Sequence, residues 1–318
     1  MSHHETNGHP MLGYLTDPSG PAGLRLATDL PEPQPRPDEV IVEVRAFAIN
    51  HDELNLIRRR PDGWRPGQDV AGVVVAAAAD GSGPAVGARV VCYLDWEGWA
   101  ERIPVPVKRV AVLPDSVSFE QAAALPIAGI TALRAVRVGG ALLGRQVLIT
   151  GATGGVGQFA VQLAVAAGAT VTALVSRPER IPDALSLGAH HAVTSLEDPA
   201  LGPFHLVLDG IGGDLTAPAV RRLAPGGHLA WYGNLGGAAE LRLADFYAQG
   251  WNAHIVGFIS PVPEDTLGED LAILANLVAD GRLTPDIGLT LDWTETPKAF
   301  EAIESRTLRG KAVLTLGN

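Results

Sequence analysis

The 318-residue sequence predicts an α/β protein in which a β-rich, barrel-like part accompanies a doubly wound parallel sheet. Three observations carry that expectation. Apolar and polar residues alternate with period two in the first third, strand and helix patterns alternate from Arg145 onward, and a glycine-rich turn joins a strand directly to a helix. The length suggests about two domains at roughly 150 residues each.

In the first third, Asp38–Ala48 alternates Val40, Val42 and Val44 with Ile41, Glu43 and Arg45, as a strand does. The prolines Pro31, Pro33, Pro35 and Pro37 before it make an extended connector. Val70–Ala78 and Ala88–Tyr93 are further strands, parted by the turn signal from Asp80 to Pro84. Ser118 and Gln121 form a capping-box pattern that opens a helix through the alanine-rich run after them. Beyond Arg145 the strand candidates are Gln146–Thr150, Thr170–Val175, Leu206–Asp209 and His228–Tyr232, with helix patterns at Val156–Ala167 and Ala217–Leu223. This alternation argues a parallel sheet with crossover helices. The tail adds a helix, Asp270–Ala279, stopped by Gly281, and a strand, Lys311–Leu316.

Composition narrows the partners. With 24 Lys+Arg against 35 Asp+Glu, the net charge of -11 leaves no basic excess for a nucleic-acid backbone or an anionic membrane. Val70–Ala79 is too short for a membrane span, and Phe159–Val175 is interrupted by Gln162, Gly168, Thr170 and Thr172. Met1–Pro10 is polar and lacks the apolar stretch of a signal peptide, so His3, His4 and His9 read as a solvated tail. Cys92 is the only cysteine, which excludes an intrachain disulfide or a four-cysteine zinc lobe and suits a reducing, cytoplasmic compartment. Placed mid-strand in an apolar run, it reads as inert core.

The sharpest local signal lies between Gln146 and Ala164. A strand runs into Gly151-Ala-Thr-Gly-Gly-Val-Gly157, and on the helix that follows Val156, Ala160, Leu163, Ala164 and Ala167 share one face. The pattern Ala152-x-Gly154-x-x-Gly157 is a dinucleotide-binding turn. Gly154 and Gly155 let backbone approach a pyrophosphate, Gly157 lets helix and strand pack closely, and the helix N-terminus faces the anion. An NAD site ends its second strand with an acid about 20 residues on. Here Ser176 and Arg177 stand there, with Arg180 close behind, and a guanidinium suits the 2′-phosphate of NADPH.

Further motifs extend across the chain: Asn50-His-Asp-Glu-Leu54, Pro66-Gly-Gln-Asp-Val-Ala-Gly-Val-Val74, Pro126–Leu133, Leu187-Gly-Ala189, Val207–Gly213, Ala224–Gly233 and Gly310-Lys-Ala-Val-Leu314. With the glycine turn they resemble the medium-chain dehydrogenase/reductase superfamily, in its zinc-free quinone-oxidoreductase-like branch. The resemblance implies a discontinuous GroES-like catalytic domain of residues 1–120 and 261–318, and a Rossmann NADP(H)-binding domain of residues 121–260. Zinc-dependent relatives carry ligands where Asn50, Gln68 and Ala128 stand, and none of these replaces a thiolate or an imidazole. His51 alone reads as a structural histidine.

Without zinc, the resemblance implies NADPH-dependent hydride delivery to a quinone or to the β-carbon of an α,β-unsaturated carbonyl (an enone). Charge then develops on a carbonyl oxygen and needs hydrogen-bond donors. By the same resemblance Asn50 orients cofactor or substrate, Thr131 contacts the cofactor near the nicotinamide, and Gly233 and Asn234 lie beside the ring. A tyrosine that many relatives place after the Asn motif is replaced by Trp64, whose indole does not serve as an acid. The proton source is left among water, Glu53 and Tyr93, and Glu53 also reads as a structural carboxylate. Trp64, Trp96 and Trp99 read as an aromatic pocket or as packing. The alternatives are an enoyl reductase or tailoring enzyme of a biosynthetic pathway, and a non-catalytic NADPH-binding sensor. A homodimer is expected through edge pairing of His254–Phe258.

Overall fold

The computed structural model describes residues 10–247, 250–257 and 264–317. The histidines His3, His4 and His9, and Phe258 of the expected dimer strand, lie outside these described residues. The chain begins with β1 (Met11–Thr16) and β2 (Leu24–Leu30), a two-stranded antiparallel ribbon. Next come β3 (Glu39–Ile49), α1 (His51–Ile57), β4 (Asp69–Ala76), β5 (Arg89–Tyr93), β6 (Arg102–Pro106) and β7 (Val110–Val112). Helices α2 (Phe119–Ala123) and α3 (Pro126–Val138) lead to β8 (Gln146–Thr150), α4 (Gly157–Ala166) and β9 (Thr170–Leu174). Then follow α5 (Ile181–Ser186), β10 (His191–Val193), β11 (Phe204–Asp209), α6 (Thr216–Val220), β12 (Leu223–Trp231) and β13 (His254–Gly257). The last elements are α7 (Leu267–Ala279), β14 (Ile287–Asp292), α8 (Thr296–Glu304) and β15 (Lys311–Thr315).

Two compact units result. The first comprises Met1–Ile127, Pro263–Ala279 and Ile287–Asn318, and the second Ala128–Val262 with Asp280–Asp286. In the first unit a seven-stranded sheet runs β14-β15-β3-β4-β5-β7, and β6 also pairs with β3. Strand β3 is long enough to carry two partners along one edge, β6 beside Glu39–Glu43 and β15 beside Ala46–Ile49. Its alternating valines pack into a core that includes Met11, Phe47, Trp99, Ile103 and Phe300. Each such side chain contributes about 1.5–3 kcal/mol by leaving water. Trp99 is only 1% exposed and stacks on Phe47 at 5.1 Å, so it is core and does not line a pocket.

In the second unit six parallel strands run β10-β9-β8-β11-β12-β13. Counted from its own first strand this order is 3-2-1-4-5-6, the doubly wound arrangement whose direction reverses between β8 and β11.

Two sequence expectations change. The alanine-rich run after Ser118 is two helices, because Pro126 lacks an N–H and disfavours helical backbone before it. The capping box itself forms, with Gln121 N–H donating to Ser118 Oγ at 3.2 Å and Ser118 N–H donating to Gln121 Oε1 at 3.1 Å. Residues 121–127, expected in the second domain, group with the first unit, and residues 280–286, expected in the first domain, pack with the second. The cause of the latter is a pair of glutamines on α4. Gln158 donates to Asp286 O at 2.9 Å and accepts from Asp286 N–H, while Gln162 exchanges two hydrogen bonds with the Thr284 backbone. No helix among the described residues is long and apolar enough to cross a membrane.

Candidate active site

The second unit gathers its glycine loops at one edge. Because all six strands are parallel, the segments after β8, β9, β11 and β12 emerge at the same, C-terminal, end of the sheet. The turn after β8 begins with Gly151 in the left-handed region (φ 62), and Gly154 N–H donates back to Gly151 O at 2.9 Å. Gly157 has no room for a side chain. A Cβ there would overlap the Gly151 carbonyl oxygen and sit 2.7 Å from Ala152 Cα, so the glycine is what lets α4 start against the turn. A Cβ on Gly154 would meet only Gly151 O, at 3.2 Å, and Gly154 is exposed. Gly155 and Val156 are half-buried, and Ala152 is buried beneath them. The turn thus presents open backbone at the switch point, as a pyrophosphate requires.

Ser176 and Arg177 follow β9, and both are exposed. Arg180 turns back onto Asp183 at 3.4 Å, which ties its guanidinium to the protein's own carboxylate. Past β11, the buried carboxylate of Asp209 organises the next loop. It accepts from Thr150 Oγ1 and Thr216 Oγ1, both at 2.8 Å, and from the N–H groups of Ile211 and Gly212. The loop after β12 is pressed against it. A Cβ on Gly233 would overlap Gly210 O, and one on Gly213 would overlap Gly236 O. Asn234 is exposed beyond Gly233. Between these loops the Tyr232 hydroxyl is buried without a hydrogen-bond partner among the described residues, and burial pushes its pKa up. Thr131 is buried on α3.

The first unit holds a buried polar cluster where β15, β3 and β4 lie side by side. Asn50 follows directly on β3 and caps α1 without a side-chain capping hydrogen bond. Its Oδ1 accepts instead from Lys311 Nζ at 2.6 Å, and the same ammonium lies 3.1 Å from Asp69 Oδ2. Asp69 Oδ1 accepts from Ile127 N–H at 2.9 Å. Glu53 Oε2 accepts from Asn50 N–H at 2.8 Å. Burial, and then the charge of Asp69, push the Glu53 carboxyl up to about 8, against a smaller downward pull from Lys311. The Asn50 Nδ2 group is buried and has no partner among the described residues.

The structure brings Asn50 and Glu53 together, and it adds Asp69 and Lys311, to which sequence reasoning gave no role. The available signal was a charged residue inside an apolar strand pattern in each of their motifs. Tyr93 is buried in β5, with the Arg109 guanidinium 5.9 Å from its ring centre. Trp64 is anchored to Thr16 through its backbone N–H and C=O, and its ring tilts against Trp96 at 4.9 Å with Arg60 over both. Burial raises the pKa of the Cys92 thiol, which keeps it protonated in the core. The zinc-ligand positions hold Asn50, Gln68 and Ala128, and no group of three His, Cys, Asp or Glu suited to a metal occurs among the described residues. That donor set does not fit zinc.

Known proteins share this architecture. The alcohol dehydrogenase GroES-like domain family matches residues 36–115, and the zinc-binding dehydrogenase family matches residues 155–276. A spectinabilin polyketide synthase protein, NorB of Streptomyces orinoci, is 32% identical over 88% of this chain. The chain spans only 13% of that protein's length. Quinone oxidoreductase-like protein 2 of Bos taurus is 28% identical over 89% of this chain and 87% of its own. An alcohol dehydrogenase superfamily protein from Novosphingobium aromaticivorans superposes with a TM-score of 0.84 at 28% identity, covering 96% of this chain and all of that one. With both family matches falling on these two units, the chain belongs to the medium-chain dehydrogenase/reductase superfamily, in its quinone-oxidoreductase-like branch.

Proposed function

We propose that the chain is a zinc-independent, NADPH-dependent reductase that delivers hydride to a quinone or to the C=C bond of an α,β-unsaturated carbonyl, and that it works as a homodimer. The observation that carries this reading is the glycine turn at the switch point of the parallel sheet, followed after β9 by Ser176 and Arg177 where an NAD site has an acid. Ala152, Gly154, Gly155, Val156 and Gly157 hold the pyrophosphate in this reading. Ser176 and Arg177 take the 2′-phosphate, because Arg180 is drawn to Asp183. Thr131, Gly233 and Asn234 lie beside the nicotinamide, which supplies the hydride when bound.

Asn50 Nδ2 donates to the carbonyl oxygen on which negative charge gathers as the β-carbon is reduced, the role of an oxyanion donor. The α-carbon then takes its proton from water. Glu53 and Tyr93 are both buried, with Glu53 Oε2 accepting from the Asn50 N–H and its Oε1 without a partner among the described residues. The zinc-ligand positions offer neither thiolate nor imidazole, so no step is routed through a metal.

A second reading, an enoyl reductase or tailoring step of a biosynthetic pathway, is favoured by similarity to polyketide synthases at 32% identity. Steady-state NADPH oxidation with 1,4-benzoquinone, simple enones and enoyl thioesters separates the readings. Turnover of the quinone or enones supports the first, and turnover restricted to thioesters supports the second. Tight NADPH binding without turnover on any acceptor would leave a sensor in place of an enzyme.

A further inference from the structure

The Asn50 carboxamide is held in one orientation by chemistry. Lys311 is 3% exposed, and its ammonium has only donors to offer, so the Asn50 atom facing it at 2.6 Å is the oxygen. Turning the amide over would set an NH₂ group against an ammonium in a buried site. The rest of Asn50 is also spent, with its N–H on Glu53 and its backbone C=O accepting from Glu53 N–H at 3.1 Å. Only Nδ2 remains, buried and without a partner among the described residues.

Strand register builds this arrangement. Ala312 lies opposite Ile49, and Asp69 lies opposite Ala48, so β15, β3 and β4 deliver Lys311, Asn50 and Asp69 to one end of the sheet. Asp69 balances the lysine charge at 3.1 Å and is itself fixed by Ile127 N–H. A buried lysine without such a partner would be an uncompensated charge in the sheet interior, which strongly destabilises a fold. The positive charge behind Oδ1 also polarises the amide and strengthens Nδ2 as a donor.

We propose that Lys311, seated by Asp69, is a positioning residue that locks the Asn50 carboxamide so that Nδ2 faces the substrate carbonyl oxygen. This rests on the reading of Asn50 as the donor to that oxygen. The test is a double-mutant cycle of Lys311→Met and Asn50→Ala in the full chain, read as kcat and KM with NADPH and an enone. Lys311→Met lowers kcat by about 10-fold or more, part of what losing an oxyanion donor costs, and has almost no further effect once Asn50 is alanine. Equal losses in both backgrounds would overturn the proposal, because a merely structural lysine acts whatever stands at position 50. Should Lys311→Met fail to fold with Asp69 left unpaired, Lys311→Met with Asp69→Asn removes both charges and enters the same cycle. A readout independent of turnover comes from NMR of side-chain amides in nitrogen-labelled protein. The Asn50 NH₂ signal shifts and exchanges faster in Lys311→Met if the lock exists, even if no acceptor is ever turned over. An unchanged Asn50 signal would overturn the lock directly.

Discussion

Arg177 and Asp209 show how differently two charged residues at one sheet edge behave. Asp209 is fully buried and saturated by two hydroxyls and two backbone N–H groups, so it shapes the loop. Arg177 is exposed just beyond β9, where a 2′-phosphate is expected. Arg177→Ala should raise KM for NADPH about 10- to 100-fold, the worth of a hydrogen bond to a charged group, and leave KM for NADH unchanged. Equal KM changes for both cofactors would remove the phosphate assignment. Glu53 carries a pH signature. Its carboxyl is raised from 4.5 to about 8, so the folded protein keeps a proton that the unfolded chain has released. Stability from this group is therefore complete below pH 4.5, declines as pH rises towards 8, and is flat above. Denaturant unfolding of Glu53→Gln should lack that decline, and a parallel decline in the variant would assign it elsewhere. Glu53 could be picked out in the sequence, but its raised carboxyl could not, because that depends on burial in the folded unit and on the charges of Asp69 and Lys311 arriving from other strands.

At the scale of elements, segments with a clear apolar pattern were legible, five-residue strands such as β5, β8 and β15 included. The alternation in β3 and the strand-turn-helix of β8 and α4 read directly, since each carries its own periodicity. β6 did not. Its sequence Arg-Ile-Pro-Val-Pro argues against a strand, and it survives at one end of β3, away from the main strand path. The return of residues 280–286 to the second unit was hidden for another reason: it rests on Gln158 and Gln162 bonding the backbone of a segment 128 and 122 residues away, respectively. Gln158→Ala should cost about 1–3 kcal/mol, because it removes the two hydrogen bonds that tie the half-buried Asp286 backbone to α4. A change in unfolding free energy within error of zero would show that the segment is held by other contacts. Gly157→Val should lower the melting temperature and weaken NADPH binding together, since its Cβ would overlap the turn that receives the pyrophosphate.

For the whole molecule, the division into two units and the doubly wound sheet followed from alternation and from the glycine turn, and the comparisons place the chain in the superfamily those motifs resemble. Assembly was less legible. β13 pairs only with β12 among the described residues, which leaves one edge of the sheet open, and sedimentation at micromolar concentration should give twice the 33.2 kDa chain mass if that edge pairs. A monomer would show that the edge is covered some other way. The most direct measurement is the initial rate of NADPH oxidation by chelator-treated protein with 1,4-benzoquinone and simple enones, repeated with NADH. Turnover that survives chelation and favours NADPH is the predicted result. Activity that vanishes on chelation and returns with one zinc per chain, or a preference for NADH, would contradict it.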